Sequence, residues 1–137
     1  MSDKIVISSN TKNLAQVRNF VANSLSDADV NPRIIDQIVL SVDEACTNII
    51  KHTYKFEDGH NIEIFILIDN DSIKISIIYS GTAFDPNSRE VPNMTEYFEK
   101  YKVGGLGIPL IKKFIDKIEY THTDNNLNNL TLIKFLS

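Results

Sequence analysis

The sequence lacks the features that would commit it to several classes of function. A single cysteine in 137 residues rules out an internal disulfide. There is no basic surplus: Asp and Glu total 18 against 14 Lys and Arg, for a formal net charge of −4. That balance leaves no electrostatic footprint for non-specific nucleic-acid binding. No apolar run approaches the length that spans a bilayer, and no charged-then-apolar leader precedes Lys4. The expectation is a cytoplasmic protein with protein or nucleotide partners, and with neither nucleic acid nor membrane among them. His52, His60 and His122 show no metal-binding spacing, and there is neither an internal repeat nor a linker.

What is present is ordinary for a folded domain. Hydrophobic residues make up 42% and charged residues 23%, and the length suits one domain over residues 1–137 with a single core. The chain is organised around the apolar-periodic segment from Asn31 to Tyr54. A helix turning about 100° per residue puts Ile38, Val42, Ala45 and Ile49 on one stripe, with Gln37, Ser41, Glu44 and Asn48 on the stripe beside it. Glu44 and Asn48 then project side by side, one turn apart, at the border of the buried face. A carboxylate and an amide so placed suit holding a cation or a water, although polar residues at this spacing often form only a solvated face. Cys46 flanks the apolar stripe and reads as packing rather than as a nucleophile.

The flanking chain reads as alternating strands and helices. Lys4 to Ser8 is a β-branched run before the cap-rich Ser8-Ser9-Asn10-Thr11. Leu14, Val17, Phe20, Val21 and Leu25 carry helical spacing to about Asp27, and Asn31-Pro32 caps the organising helix. Ile62 to Ile68 and Ile73 to Ile78 form a hairpin across Asp69-Asn70-Asp71-Ser72, and strand alternation aims Tyr79 inward. Residues 87–103 lack clear periodicity and read as a lid. A helix follows Gly107, and Lys117 to Thr123 and Leu130 to Leu136 close the chain as a hairpin. This order predicts an α/β two-layer sandwich, a mixed and mostly antiparallel sheet with helices on one face.

Gly104-Gly105-Leu106-Gly107 before a helix lets backbone amides approach phosphate oxygens at the positive end of the helix dipole, though such a cluster also serves as a plain tight turn. In combination, three stretches are more specific. EACTNIIKHTY (44–54) resembles the N box of the histidine-kinase-like ATPase group, SGTAFDP (80–86) its first glycine box, and GGLGIPLIKKFIDKIEY (104–120) its second. Within that group the chain most resembles the small bacterial anti-sigma-factor serine kinases. The resemblance implies an ATP-dependent kinase that sequesters a sigma factor and phosphorylates an anti-sigma-factor antagonist, with a homodimer as a further expectation. It implies Asn48 as the holder of Mg²⁺ and Glu44 as the general base or positioner of the attacking hydroxyl. Gly81, Phe84 and Asp85 belong to its first glycine box, and Gly104, Gly105, Leu106 and Gly107 line the triphosphate. Lys100 or Lys102 reaches the terminal phosphate, and Thr131 lies near the adenine.

One position departs from the family pattern. The first glycine box normally opens with Asp, which accepts from the adenine amine, and here that position is Tyr79. Either the ring fills the adenine pocket and leaves a module that only binds partner proteins, or the phenol accepts from the base or stacks on it. Burying the ring is worth roughly 1.5–3 kcal/mol to the fold, and losing the charge-assisted contact costs about 1.5–3 kcal/mol of binding.

Overall fold

The computed structural model describes residues 2–81 and 107–136. Strand β1 (Ser2–Ser8) leads through a short 3₁₀ turn at Thr11–Asn13 into helix α1 (Leu14–Asp27) and then helix α2 (Pro32–Asn48). Strands β2 (Asn61–Ile68) and β3 (Ser72–Ser80) follow, then helix α3 (Gly107–Phe114) and strands β4 (Lys117–His122) and β5 (Leu127–Phe135). The five strands form one sheet in the order β1-β2-β3-β5-β4, and every pairing is antiparallel. The expected two-layer α/β architecture is observed, without a parallel pair among the described residues. The expected lid at 87–103 lies outside them.

The sheet's two faces explain the layering. Ile62, Ile64 and Ile66 on β2, Ile75, Ile77 and Tyr79 on β3, and Leu130 and Leu132 on β5 are cross-strand partners on one face, and all are buried. The helices cover that face with Val17, Val21 and Leu25 from α1, Ile38, Val42 and Ala45 from α2, and Ile111 from α3. Each of these valine, leucine and isoleucine side chains is worth roughly 1.5–3 kcal/mol when fully buried. The opposite face presents Val6, Leu67, Leu127 and Phe135 as exposed residues. No helix among the described residues is long and apolar enough to cross a membrane.

Local chemistry sets the boundaries. Asn31 caps α2 by accepting from the Arg33 amide at 2.9 Å, with Pro32 in the first turn where its missing N–H is no loss. Asp69 Oδ1 closes the β2–β3 turn by accepting from the amides of Asp71 and Ser72 at 2.9 and 2.8 Å. The organising helix departs from a uniform α-helix at its end, where Ile49–Thr53 widens into a π turn and the Tyr54 amide reaches Ile49 O at 3.1 Å. In an α-helix consecutive residues diverge by about 100°. Ile49 and Ile50 nonetheless both pack inward, at 4% and 1% exposure, as Ala45 and Cys46 do one turn earlier.

Candidate functional site

Glu44 and Asn48 lie in the last turns of α2, both half-buried, as the helical spacing predicts. Other polar side chains around them are engaged. Ser41 and Thr47 donate back along the helix to the carbonyls of Gln37 and Asp43 at 2.8 and 2.7 Å. Asp43 accepts from Arg18 Nη1 of α1 at 2.9 Å. By contrast, among the described residues no hydrogen bond engages the Glu44 carboxylate, and Asn48 makes no side-chain cap bond. Burial pushes the Glu44 carboxyl above its ordinary 4.5, the nearby Asp43 charge pushes the same way, and Lys51 pulls against both. An elevated carboxylate beside an amide with spare hydrogen-bonding capacity can accept a proton and support a hard cation.

The end of this helical segment meets the exit of β3. Tyr54 Oη donates to Ser80 O at 2.6 Å. At Gly81, φ is +130° and an added Cβ would sit 2.7 Å from Thr53 Cγ2, so both backbone conformation and space require glycine. The first two motifs therefore abut. The described part of the third begins at Gly107, where α3 starts and packs along α2, with Ile111 and Ile115 in the shared core. Phe84, Asp85, Lys100, Lys102, Gly104, Gly105 and Leu106 lie outside the described residues.

Tyr79 points inward as strand alternation predicts, at 2% exposure, opposite Ile62 on β2 and Asn128 on β5. Thr131 is not brought to this end of the site. It faces the other side of the sheet, where its hydroxyl bonds Ser76 Oγ at 3.0 Å and donates to Asn129 Oδ1 at 3.1 Å. The inward positions of β5 are Asn128, Leu130 and Leu132, and a shift of one residue in a strand exchanges the faces.

No motif marks Asn128, yet it is fully buried beside Tyr79. Its Nδ2 donates to Tyr79 O and to Gly81 O, each at 3.1 Å. Its Oδ1 accepts from the Tyr120 hydroxyl and lies 2.8 Å from His122 Nδ1. The available signal is a polar residue two positions before the apolar inward positions Leu130 and Leu132. Among the described residues, no group of three His, Cys, Asp or Glu side chains gathers as a metal cluster.

A family profile described as "Histidine kinase-like ATPase domain" matches residues 7–134. Serine-protein kinase RsbW of Listeria monocytogenes serotype 4a (strain HCC23) is 32% identical over 98 residues, covering 69% of this chain and 62% of its own length. The protein of the same name from Bacillus pumilus (strain SAFR-032) is 29% identical over 109 residues, covering 75% of this chain and 66% of its own. That from Bacillus thuringiensis subsp. konkukian is 33% identical over 94 residues, covering 66% of this chain and 58% of its own. The matched stretch thus spans less than two thirds of each of these relatives.

Proposed function

The chain belongs to the histidine kinase-like ATPase domain family, and from that membership we propose that it is an ATP-dependent serine/threonine protein kinase. In this reading it works as an anti-sigma regulatory factor that binds a sigma factor and phosphorylates an anti-sigma-factor antagonist. The observation that carries the reading is Glu44, a half-buried carboxylate with a raised proton affinity, set one helical turn before Asn48 on the helical segment whose far end, at Thr53 and Tyr54, meets the Gly81 corner. Names of relatives as serine-protein kinases support the choice of a serine hydroxyl as acceptor.

The donor set at Asn48 suits Mg²⁺, which prefers oxygen ligands and keeps several waters, so one amide oxygen with ATP phosphate oxygens makes a sufficient shell. Bound there, the ion would supply charge neutralisation at the phosphates. The chain's own work is positioning and proton handling. Glu44 orients the incoming serine hydroxyl and takes its proton at the carboxylate. Its raised pKa makes it a stronger base than an exposed glutamate, while Lys51 keeps the ionised form accessible. Holding two reactants in line supplies much of the remaining acceleration.

Incubating the purified protein with Mg²⁺, ATP and a cognate antagonist should yield phosphoserine, and Glu44→Ala should abolish it. A wild-type protein that binds a validated antagonist and never phosphorylates it would overturn the proposal. A homodimer is part of the same reading, and sedimentation equilibrium checks it.

The burial of Tyr79 favours a second reading, a partner-binding module in which the phenol ring fills the adenine end. Calorimetry with Mg²⁺ and ATP separates the two. Binding at micromolar strength favours the kinase; no heat from wild type, with binding gained in Tyr79→Asp, favours the module.

A further inference from the structure

We propose that Asn128 is a positioning residue for the nucleotide end of the site, its amide locking the exit of β3 at Tyr79 and Gly81 against the β4–β5 hairpin so that it sets nucleotide affinity. The proposal rests on the nucleotide-binding reading of the site.

The orientation of the amide is dictated by its neighbours. On one side stand two carbonyl oxygens, Tyr79 O and Gly81 O, which only accept, so the NH₂ must face them, with both bonds at 3.1 Å. The oxygen then faces the Tyr120 hydroxyl and His122 Nδ1, which must both donate. All four hydrogen-bonding positions of the amide are used, inside a fully buried site. One side chain thereby ties the backbone of β3 to side chains of β4, with β5 between them.

Gly81 is bounded on three sides. Its amide donates to Asn126 O at 2.8 Å, its carbonyl accepts from Asn128, and the space a Cβ would need is taken by Thr53 Cγ2 of the π turn that follows Asn48. A change at Asn128 therefore reaches the corner where α2 and β3 meet. It leaves Glu44, which handles the proton, untouched. A positioning role of this kind predicts a loss of nucleotide affinity with little change in turnover at saturation.

The test uses Asn128→Asp, nearly isosteric, which replaces the NH₂ facing two carbonyls with an oxygen. Calorimetry with Mg²⁺ and ATP should show at least tenfold weaker binding, while turnover at saturating ATP stays within threefold of wild type. A folded Asn128→Asp protein that binds ATP within twofold of wild type overturns the proposal. Should that variant fail to fold, the double variant Tyr120→Phe/His122→Ala decides. It removes both donors that orient the amide, and at least threefold weaker binding supports the role while unchanged binding overturns it. Should wild type bind no ATP, the nucleotide-binding reading fails and the affinity role falls with it. Hydrogen exchange at the Gly81 amide then judges the lock alone: tenfold faster exchange in either variant supports it, and unchanged exchange overturns it.

Discussion

The Tyr54 hydroxyl donates to the carbonyl of Ser80 at 2.6 Å, joining the end of the π turn to the last residue of β3. The contact explains why the N-box-like and first glycine-box-like stretches, 26 residues apart at this bond, share one corner. Burial raises the pKa of the phenol, against the opposing pull of its bonds to Ser80, so it remains a donor throughout the neutral range. Tyr54→Phe keeps the ring stacked on His60, with centroids 4.2 Å apart, and removes only the hydroxyl. The expected cost is about 1 kcal/mol of stability, read as a lower denaturant midpoint with an unchanged slope. A variant as stable as wild type would show that the bond contributes nothing net.

Burial also isolates the one cysteine. Cys46 lies at 0% exposure in α2, and burial, aided by the Asp43 charge, pushes its thiol up to about 12. The thiolate is the reactive form, so native protein at pH 8 should resist a thiol reagent. Labelling should follow global opening, and denaturant should accelerate it in step with the loss of structure. Rapid labelling of the folded chain would contradict the packing assignment.

Much of this architecture can be read from residue spacing. Leu14, Val17, Val21 and Leu25 mark α1, Asn31-Pro32 fixes the start of α2, and alternation along β3 aims Tyr79 inward. Other features are hidden for physical reasons. Apolar spacing does not distinguish an α turn from a π turn, so the widening at Ile49–Thr53 leaves no mark. Thr131 matches a family position by residue type, while its face depends on strand register, which places it away from Tyr79. Asn128 finds its donors' targets in backbone carbonyls of another strand, and side-chain identity carries no record of those. Glu44 and Asn48 are legible because helical spacing alone places them side by side.

The helical segment ends in a conformation that suits glycine, yet lysine occupies it. The Phe56 amide returns to Ile50 O at 2.9 Å, as in a Schellman-type closure, and Lys55 takes φ of +50°. A left-handed L-residue costs about 1–2 kcal/mol, and glycine gives part of that back through its freer unfolded chain. Lys55→Gly should therefore stabilise the protein by about 0.5–1 kcal/mol, a rise in melting temperature of roughly 2–4 °C for a domain of this size. Phe56 has φ of +65° as well, but it carries an exposed ring, so the lysine site gives the cleaner measurement.

Glu44 links stability to the proposed chemistry, and the sign of its pH dependence follows from its raised pKa. A carboxyl whose folded-state value lies above its unfolded value holds its proton more tightly when folded. Its favourable contribution is complete below the ordinary 4.5 and disappears as pH rises through the elevated folded value. Once ionised above that window, the half-buried carboxylate burdens the fold. Glu44→Gln, which keeps the shape without the charge, should melt about 1–3 °C above wild type at pH 7, a small effect because solvent still screens the group. The difference should shrink toward zero at pH 4, where wild type is protonated. Phosphotransfer should be lost in the same variant at every pH, since glutamine cannot accept the serine proton. A gain in stability paired with a loss of activity is the expected mark of a residue held in an unfavourable setting for its chemistry. Melting curves at the two pH values, set beside a phosphorylation assay, test both halves. If Glu44→Gln is less stable than wild type at pH 7, burial is not what governs this carboxylate.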